Sequence, residues 1–350
     1  FIYVVTTQST QILTLNGLSV LSKPNAIKVS ADTRGNYVLL NANNEIFFYG
    51  PNHALQFQQR ITKTSLEDIL IDEISGRVFI VGYDDKTIAW KLISVAFLYA
   101  YDYQGNYKYK LFDFSWSEMT SYTASTKLYS LSLGSDKKLY ILWETQGKDT
   151  IFKYNGTTLS GNQKYTPKDV FSELPENQAL VAYFARVHTE TGVIETSNFA
   201  LPRGVNWEGA SFQIKDGNIS TTQNGIIMIA WESEFSFPWR ENVRINGTKI
   251  GTFLQWDGVL QWYAGDFLTR YFSVSFGKDL GAHTQINDVI SVWGNQIVAL
   301  GSVLSGSIFT TENTIEKKTN DKNAFLVVFS FETMTQNQSS TSWNSSSNTT

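Results

Sequence analysis

Between Leu66 and Asn106 the chain alternates apolar and polar positions in short runs, each ended by turn residues. Ile69 and Ile71, then Val78 and Ile80, are apolar at every second position, the period of a strand whose side chains point to opposite faces. Asp72-Glu73-Ile74-Ser75-Gly76 supplies turn chemistry between the two runs, and Gly82 reads as the end of the second. A third run, Val95–Tyr101, leads into another turn at Asp102-Tyr103-Gln104-Gly105-Asn106. The pattern predicts one unit of antiparallel strands over 66–106.

The rest of the chain repeats this plan imperfectly. Phe1–Asn16 reads as two short strands, with Asn16-Gly17 as a hairpin turn. Ile27–Gly50 holds IKVSA, YVLLNA and EIFFYG around Asp32…Gly35-Asn36 and Asn43-Asn44. Thr126–Gly156 holds KLYSLSL, KLYILWE and DTIFKY, and 161–177 reads as a connecting loop. Hairpins are predicted at ALVAYFARVHT/VIETSNFAL and SFQIK/GIIMIAWESEF, with shorter strands over Val243–Ile250 and Thr252–Tyr263. Ile286–Phe331 matches the guiding unit in order: Asp68 corresponds to Asp288 and Gly82 to Gly301, with a long insert at Val303–Lys322. Turn anchors near residues 35, 76, 136, 191, 224, 257 and 294 lie roughly 30 to 55 residues apart, the spacing of propeller blades. The expectation is an all-β, single β-propeller over residues 1–334, with about seven blades and six or eight allowed. From Thr335 the chain becomes Ser/Thr/Asn-rich, so 335–350 reads as a flexible tail or linker.

Composition narrows the function. The chain carries 10 Trp, 17 Tyr and 23 Phe, side chains that suit a pleated sheet surface. Charged residues make up 17%, below the usual quarter, and the net charge is −4 with no basic block. A nucleic-acid partner, which needs a concentrated cationic footprint, is therefore not expected. With no Cys there is neither a disulfide framework nor a thiolate metal site. His53, His188 and His283 lie far apart in sequence, so no metal and no cofactor is expected. No apolar run is long enough for a spanning helix. The chain opens at Phe1 directly in a strand-like segment, which reads as a removed leader or as part of a longer product, a processed leader implying secretion.

The pattern D-x-x-x-D-x-x-x-G-x-V-x-I-x-G followed by A-F-x-x-x-Y-D-x-x-G-N resembles the propeller repeat of bacterial and archaeal extracellular and cell-surface proteins. Asp68, Asp72, Gly76, Val78, Ile80, Gly82, Ala96, Phe97, Tyr101, Asp102, Gly105 and Asn106 carry it, with a weaker copy at Asp288, Gly294, Val298, Gly301, Ala324 and Phe325. The resemblance covers about a quarter of the chain and implies a fold and a usual location, with no catalytic residues to carry over. Asp32-Thr33-Arg34-Gly35 is similar to the Asp-box turn of sialidase propellers, but its Asp–Gly spacing is one residue too long. The amide- and hydroxyl-rich surface is also similar to that of secreted proteins from acid-loving archaea.

Candidate sites are few. Five Trp residues fall within 206–263, and Trp231, Trp239, Trp256 and Trp262 are the candidates for stacking on sugar rings. The competing reading is packing between blades, since Ile227, Ile229, Trp231 and Phe235 share one face of a strand. Glu232 and Glu234 would lie on its other face, either as an acid–base pair for glycoside chemistry or as solvated edge carboxylates. Asp84-Asp85 lacks the alternating ligands of a calcium loop. Asn-x-Ser/Thr sequons occur at Asn155, Asn218, Asn246, Asn337, Asn344 and Asn348. The expected function is a non-catalytic extracellular or cell-surface propeller acting in binding, adhesion or as a coat or scaffold component. Its partners would be glycans or other surface proteins. The alternatives are a propeller glycoside hydrolase or lyase and a subunit of an extracellular filament.

Overall fold

The computed structural model describes residues 2–5, 10–13, 19–23, 26–88, 91–115, 117–119, 124–146, 150–159, 180–200, 212–233, 244–245, 248–249, 257–267, 269–277, 283–292, 296–306, 308 and 323–330. They form successive antiparallel sheets in chain order. Sheet 1 holds β1 (Ile2–Val5), β2 (Thr10–Leu13) and β3 (Ser19–Lys23). Sheet 2 holds β4 (Lys28–Ala31), β5 (Tyr37–Leu40), β6 (Glu45–Tyr49) and β7 (Leu55–Arg60). Sheet 3 holds β8 (Ser65–Asp72), β9 (Arg77–Ile88), β10 (Lys91–Asp102) and β11 (Tyr107–Phe112). Sheet 4 holds β12 (Thr126–Leu133), β13 (Lys138–Gln146), β14 (Leu180–His188) and β15 (Ile194–Ala200). In sheet 5, β16 (Phe212–Thr221) and β17 (Ile226–Ser233) are followed by a small β18 (Arg244–Ile245)–β19 (Thr248–Lys249) ladder and then by β20 (Asp257–Ala264) and β21 (Arg270–Ser275). Sheet 6 holds β22 (His283–Val292), β23 (Gln296–Ser305) and β24 (Asn323–Ser330).

In each sheet the strands run consecutively from first to last, and the first strands touch one another in the order β1, β4, β8, β12, β16, β22. Lys28 at the start of β4 acts electrostatically on Asp288 in β22, so sheets 2 and 6 approach a common centre. The architecture is a β-propeller, and its six three- or four-stranded sheets among the described residues lie within the expected range.

Period-2 burial explains why the sheets stack as wedges. Val38 and Leu40 of β5 pack toward sheet 3, while Tyr37 and Leu39 belong to a cluster on the other face. Val78 and Ile80 of β9 face sheet 2, and Phe79 and Val81 face sheet 4. Tyr140 and Leu142 face sheet 5 where Leu139, Ile141 and Trp143 face sheet 3. Ile227 and Ile229 face sheet 4 where Met228 and Ala230 face sheet 6. The second strand of each of these sheets is thus apolar on both faces, which is why it reads as a near-continuous hydrophobic run. Each large side chain removed from water this way contributes about 1.5–3 kcal/mol.

Several expected boundaries move. β9 continues past Gly82 to Ile88, so that glycine sits inside a strand. DTIFKY holds a 3-10 turn at Ile151–Lys153, and the third strand of sheet 4 is β14, far along the chain. The anchor near 191 is therefore the β14–β15 turn within sheet 4, and Asp257 opens β20 inside sheet 5. Phe1–Asn16 contributes β1 and β2 to a sheet of its own with β3. The predicted tail at 335–350 lies outside the described residues.

Gly82 and Gly301 share one task. Leu66 pairs with Gly82 and Asp68 with Val81, leaving Glu67 as a bulge; Ile286 pairs with Gly301 and Asp288 with Leu300, leaving Asn287 as its counterpart. A Cβ on Gly82 would overlap the Ser65 carbonyl oxygen, and one on Gly301 that of Gln285. Each glycine admits the backbone that the bulge pushes over it. Gly82→Ala and Gly301→Ala are each expected to lower unfolding free energy by about 1–3 kcal/mol, the usual cost of overpacking. Urea denaturation would check this, and unchanged midpoints would count against the bulge assignment.

Candidate functional site

In sheets 3 to 6 a bulge in the first strand aims one side chain at the common centre. Register shifts fall immediately before Asp68 in β8, Ser130 in β12, Asn218 in β16 and Asp288 in β22. In sheets 3 to 5 this residue sits four positions before the residue that opens the first turn: Asp72, Gly134 and Thr222. In sheet 2 the residue four before Asp32 is Lys28. The five side chains form a polar set around the axis, with Ser130 buried, Asp68, Asn218 and Asp288 half-buried and Lys28 exposed.

A bulge takes backbone groups out of the ladder, and these side chains re-satisfy them across sheets. The Leu131 amide donates to Asp68 Oδ2 at 2.8 Å, joining sheet 4 to sheet 3. The Ile219 amide donates to Ser130 Oγ at 3.3 Å, and Ser130 Oγ donates to Asn218 Oδ1 at 2.9 Å, joining sheet 5 to sheet 4. Asn218 Nδ2 donates to Asp288 Oδ1, joining sheet 5 to sheet 6. Asp68 and Asp288 also accept from the amides that follow them, Ile69 at 2.9 Å and Val289 at 2.8 Å. One staple of this kind links each pair of neighbouring first strands from β8 to β22.

Burial pushes the Asp68 carboxyl above the ordinary carboxylate range; the charge of Lys28 and the two amides oppose the rise, and the charge of Asp288 adds to it. Burial likewise raises Asp288, against its amide, Lys28 and Asn218. The pair can therefore hold a proton on the axis that the unfolded chain would have released.

A second polar group joins sheets 5 and 6 at the end of β17 far from its first turn. Glu232, buried on β17, takes His283 Nε2 at 2.6 Å on Oε1 and Gln285 Nε2 at 2.7 Å on Oε2. Asp257 is fully buried and accepts from the amides of Phe276 at 3.3 Å and Gly277 at 2.8 Å and from the Thr284 hydroxyl. Thr284 Oγ1 in turn accepts from the Gly258 amide at 2.8 Å, as Thr126 Oγ1 accepts from the Ala96 amide at 3.0 Å between sheets 4 and 3. Glu232 is thus no solvated edge carboxylate, and His283, remote in sequence, is its partner. Glu234 lies outside the described residues.

Of the aromatic candidates, Trp231 is 1% exposed in the wedge between sheets 4 and 5, and Trp262 is 2% exposed in that between sheets 5 and 6. Both are packing residues, while Trp239 and Trp256 lie outside the described residues. Asn155 is exposed, and Asn218 belongs to the axial set; Asn246, Asn337, Asn344 and Asn348 lie outside the described residues. Asp84 pairs with Lys63 at 3.2 Å, and Asp85 accepts from Ser94 Oγ at 2.6 Å. Among the described residues no group of three or more His, Cys, Asp or Glu could hold a metal ion. The axial set was missed as a site, although the common spacing to the first turn in Asp68-x-x-x-Asp72 marked its position.

No protein-family model and no curated protein matches the chain. Among solved structures it is similar to BamB from Moraxella catarrhalis, with 9% identity over 89% of this chain and 84% of that one and a TM-score of 0.38. Hsv2 from Kluyvelomyces marxianus matches with 7% identity over 88% and 72% and a TM-score of 0.41. U3-55K matches with 9% identity over 91% and 88% and a TM-score of 0.38. These are propeller proteins of varied function.

Two outcomes are expected. Trp231→Ala should cost about 3–5 kcal/mol of unfolding free energy, as a cavity in a core does; an unchanged stability with selective loss of ligand binding would reinstate the stacking role. The second concerns pH. Because Asp68 and Asp288 are raised in the fold, the native state binds more protons than the unfolded chain just above the ordinary carboxylate range, so stability rises as pH falls from neutral into that window. Glu195 and Asp113 run the other way: burial opposes, but lysine partners hold both below their ordinary values, so their contribution is lost as pH falls below that range. Urea unfolding across a pH series should show maximum stability in mild acid, and Asp68→Asn with Asp288→Asn should flatten the rise from neutral.

Proposed function

We propose that the chain is a non-catalytic propeller of the cell surface or extracellular space that works in binding, adhesion or as a coat or scaffold component. The observation that carries this reading is the engagement of Glu232: both of its oxygens are held by side chains of the next sheet. Asp257 beside it is saturated by two amides and a hydroxyl. Carboxylates placed this way fasten sheets together, whereas an acid–base pair needs oxygens turned to a substrate. The resemblance to extracellular propeller repeats supports the location. Glycans or other surface proteins are the partners that an amide-, hydroxyl- and aromatic-rich surface suits, with Trp239 and Trp256 as the stacking residues and 335–350 as the link to a neighbouring element.

A glycoside hydrolase or lyase is favoured by one feature: the His283 side chain is 33% exposed against the buried Glu232, as in a proton-transfer pair. A filament subunit is favoured by another. β24 is the last strand of its sheet and contains no charged residue, and Leu326 and Val328 on it are 62% and 52% exposed.

Assays on a glycan panel from acidic to neutral pH separate these readings. Wild type, Glu232→Gln and His283→Ala are all expected to show no turnover, with glycan binding by wild type weakened by Trp239→Ala. Turnover that Glu232→Gln or His283→Ala abolishes would establish the enzyme instead.

A further inference from the structure

Two sequons fall on described residues, and the fold gives them opposite fates. Asn155 follows the 3-10 turn Ile151–Lys153 and is exposed. Its Oδ1 accepts from the Thr157 amide and hydroxyl, both at 3.0 Å, and from the Thr158 amide at 2.9 Å. These bonds fix the side chain through its oxygen and turn the Thr157 hydroxyl, the second determinant of the sequon, onto the acceptor amide. Gly156 between them has φ +83°, a left-handed value that glycine adopts without strain. Its carbonyl accepts from the Phe112 amide at 2.6 Å, which ties the turn to the end of β11. The site is an exposed, pre-shaped turn on a firm base.

Asn218 is the reverse case. It is half-buried on the axis, its Nδ2 donates to Asp288, and its Oδ1 accepts from Ser130. A sugar on Nδ2 would break the staple between sheets 5 and 6 and would have to occupy the centre of the propeller.

We propose that Asn155 is an N-glycosylation site of this protein and that Asn218, despite its sequon, is not. In the transfer, Asn155 Nδ2 forms a bond to the anomeric carbon of an oligosaccharide carried on a polyprenyl diphosphate. The anomeric C–O bond breaks, the diphosphate leaves with the bonding pair, and the amide proton goes to solvent. The use of this site in the native protein rests on the extracellular location proposed above; its competence as an acceptor rests on the turn alone.

The experiment treats these separately. The full chain is secreted behind a leader from a host that N-glycosylates, and peptides containing Asn155 and Asn218 are read by mass spectrometry before and after enzymatic deglycosylation. Asn155 is expected to be occupied and Asn218 bare. Asn155→Gln and Thr157→Ala should each remove that glycan, and Thr157→Ser, which keeps the hydroxyl and the turn, should retain it. Asn155 bare while a co-secreted control protein is glycosylated, or Asn218 occupied in folded protein, would overturn the assignment. If the secreted chain carries the Asn155 glycan and protein from its native source does not, the site stands and the extracellular reading falls.

Discussion

A strand that bulges must find new partners for the backbone groups it withdraws from its ladder, and in this propeller those partners come from the neighbouring sheet. Leu131 and Ile219, each two residues beyond a bulge, give their amides to Asp68 and Ser130 of the preceding first strand. The bulges of β8 and β22 need room, which Gly82 and Gly301 provide by having no side chain where the displaced carbonyl passes. The staples between first strands from β8 to β22, and the burial that raises the pKa of Asp68 and of Asp288, go with these bulges. A buried amide left without an acceptor would cost about 1–3 kcal/mol, comparable to the loss of a core side chain.

Two kinds of joint hold the sheets together, and they differ in chemistry. The wedges are apolar, filled by side chains such as Trp143, Trp231 and Trp262. The axis and the ends of the strands are polar, where Asp68, Asn218, Glu232, Asp257 and Thr284 reach across to the next sheet. Packing supplies most of the stabilisation, while directional bonds at the two polar joints set how far one sheet is rotated against the next.

Much of the architecture was legible. The alternation at Ile69, Ile71, Val78 and Ile80 marked strands because all four pack on one face, in the wedge against sheet 2, and the turn at Asp72–Gly76 showed because its residues have specific tasks. The outermost strands were harder to see. β7 is Leu-Gln-Phe-Gln-Gln-Arg and β11 is Tyr-Lys-Tyr-Lys-Leu-Phe, mixed sequences largely exposed to solvent, so no apolar stripe announces them. β14 was assigned to a separate hairpin because a long connection parts it from β13, and sequence distance hides pairing. The Glu232–His283 contact was invisible for the same reason, its members lying on strands of different sheets. Trp231 and Trp262 are buried in the wedges, and for Trp231 the alternation through Ile227 and Ile229 already pointed to packing.

The separate apolar wedges have a consequence for how the molecule comes apart. Among the described residues, each of the four larger clusters is shared by two adjacent sheets, so the free energy of the fold approximates a sum of terms between nearest neighbours. In such a system damage stays local: loosening one wedge frees the two sheets that line it and leaves a more distant pair intact. Cooperativity then depends on the axis, where the charge of Lys28 in sheet 2 is felt by Asp68 in sheet 3 and Asp288 in sheet 6. A chain built this way can gain or lose a sheet over evolutionary time with little readjustment elsewhere, provided the newcomer brings one polar side chain for the centre.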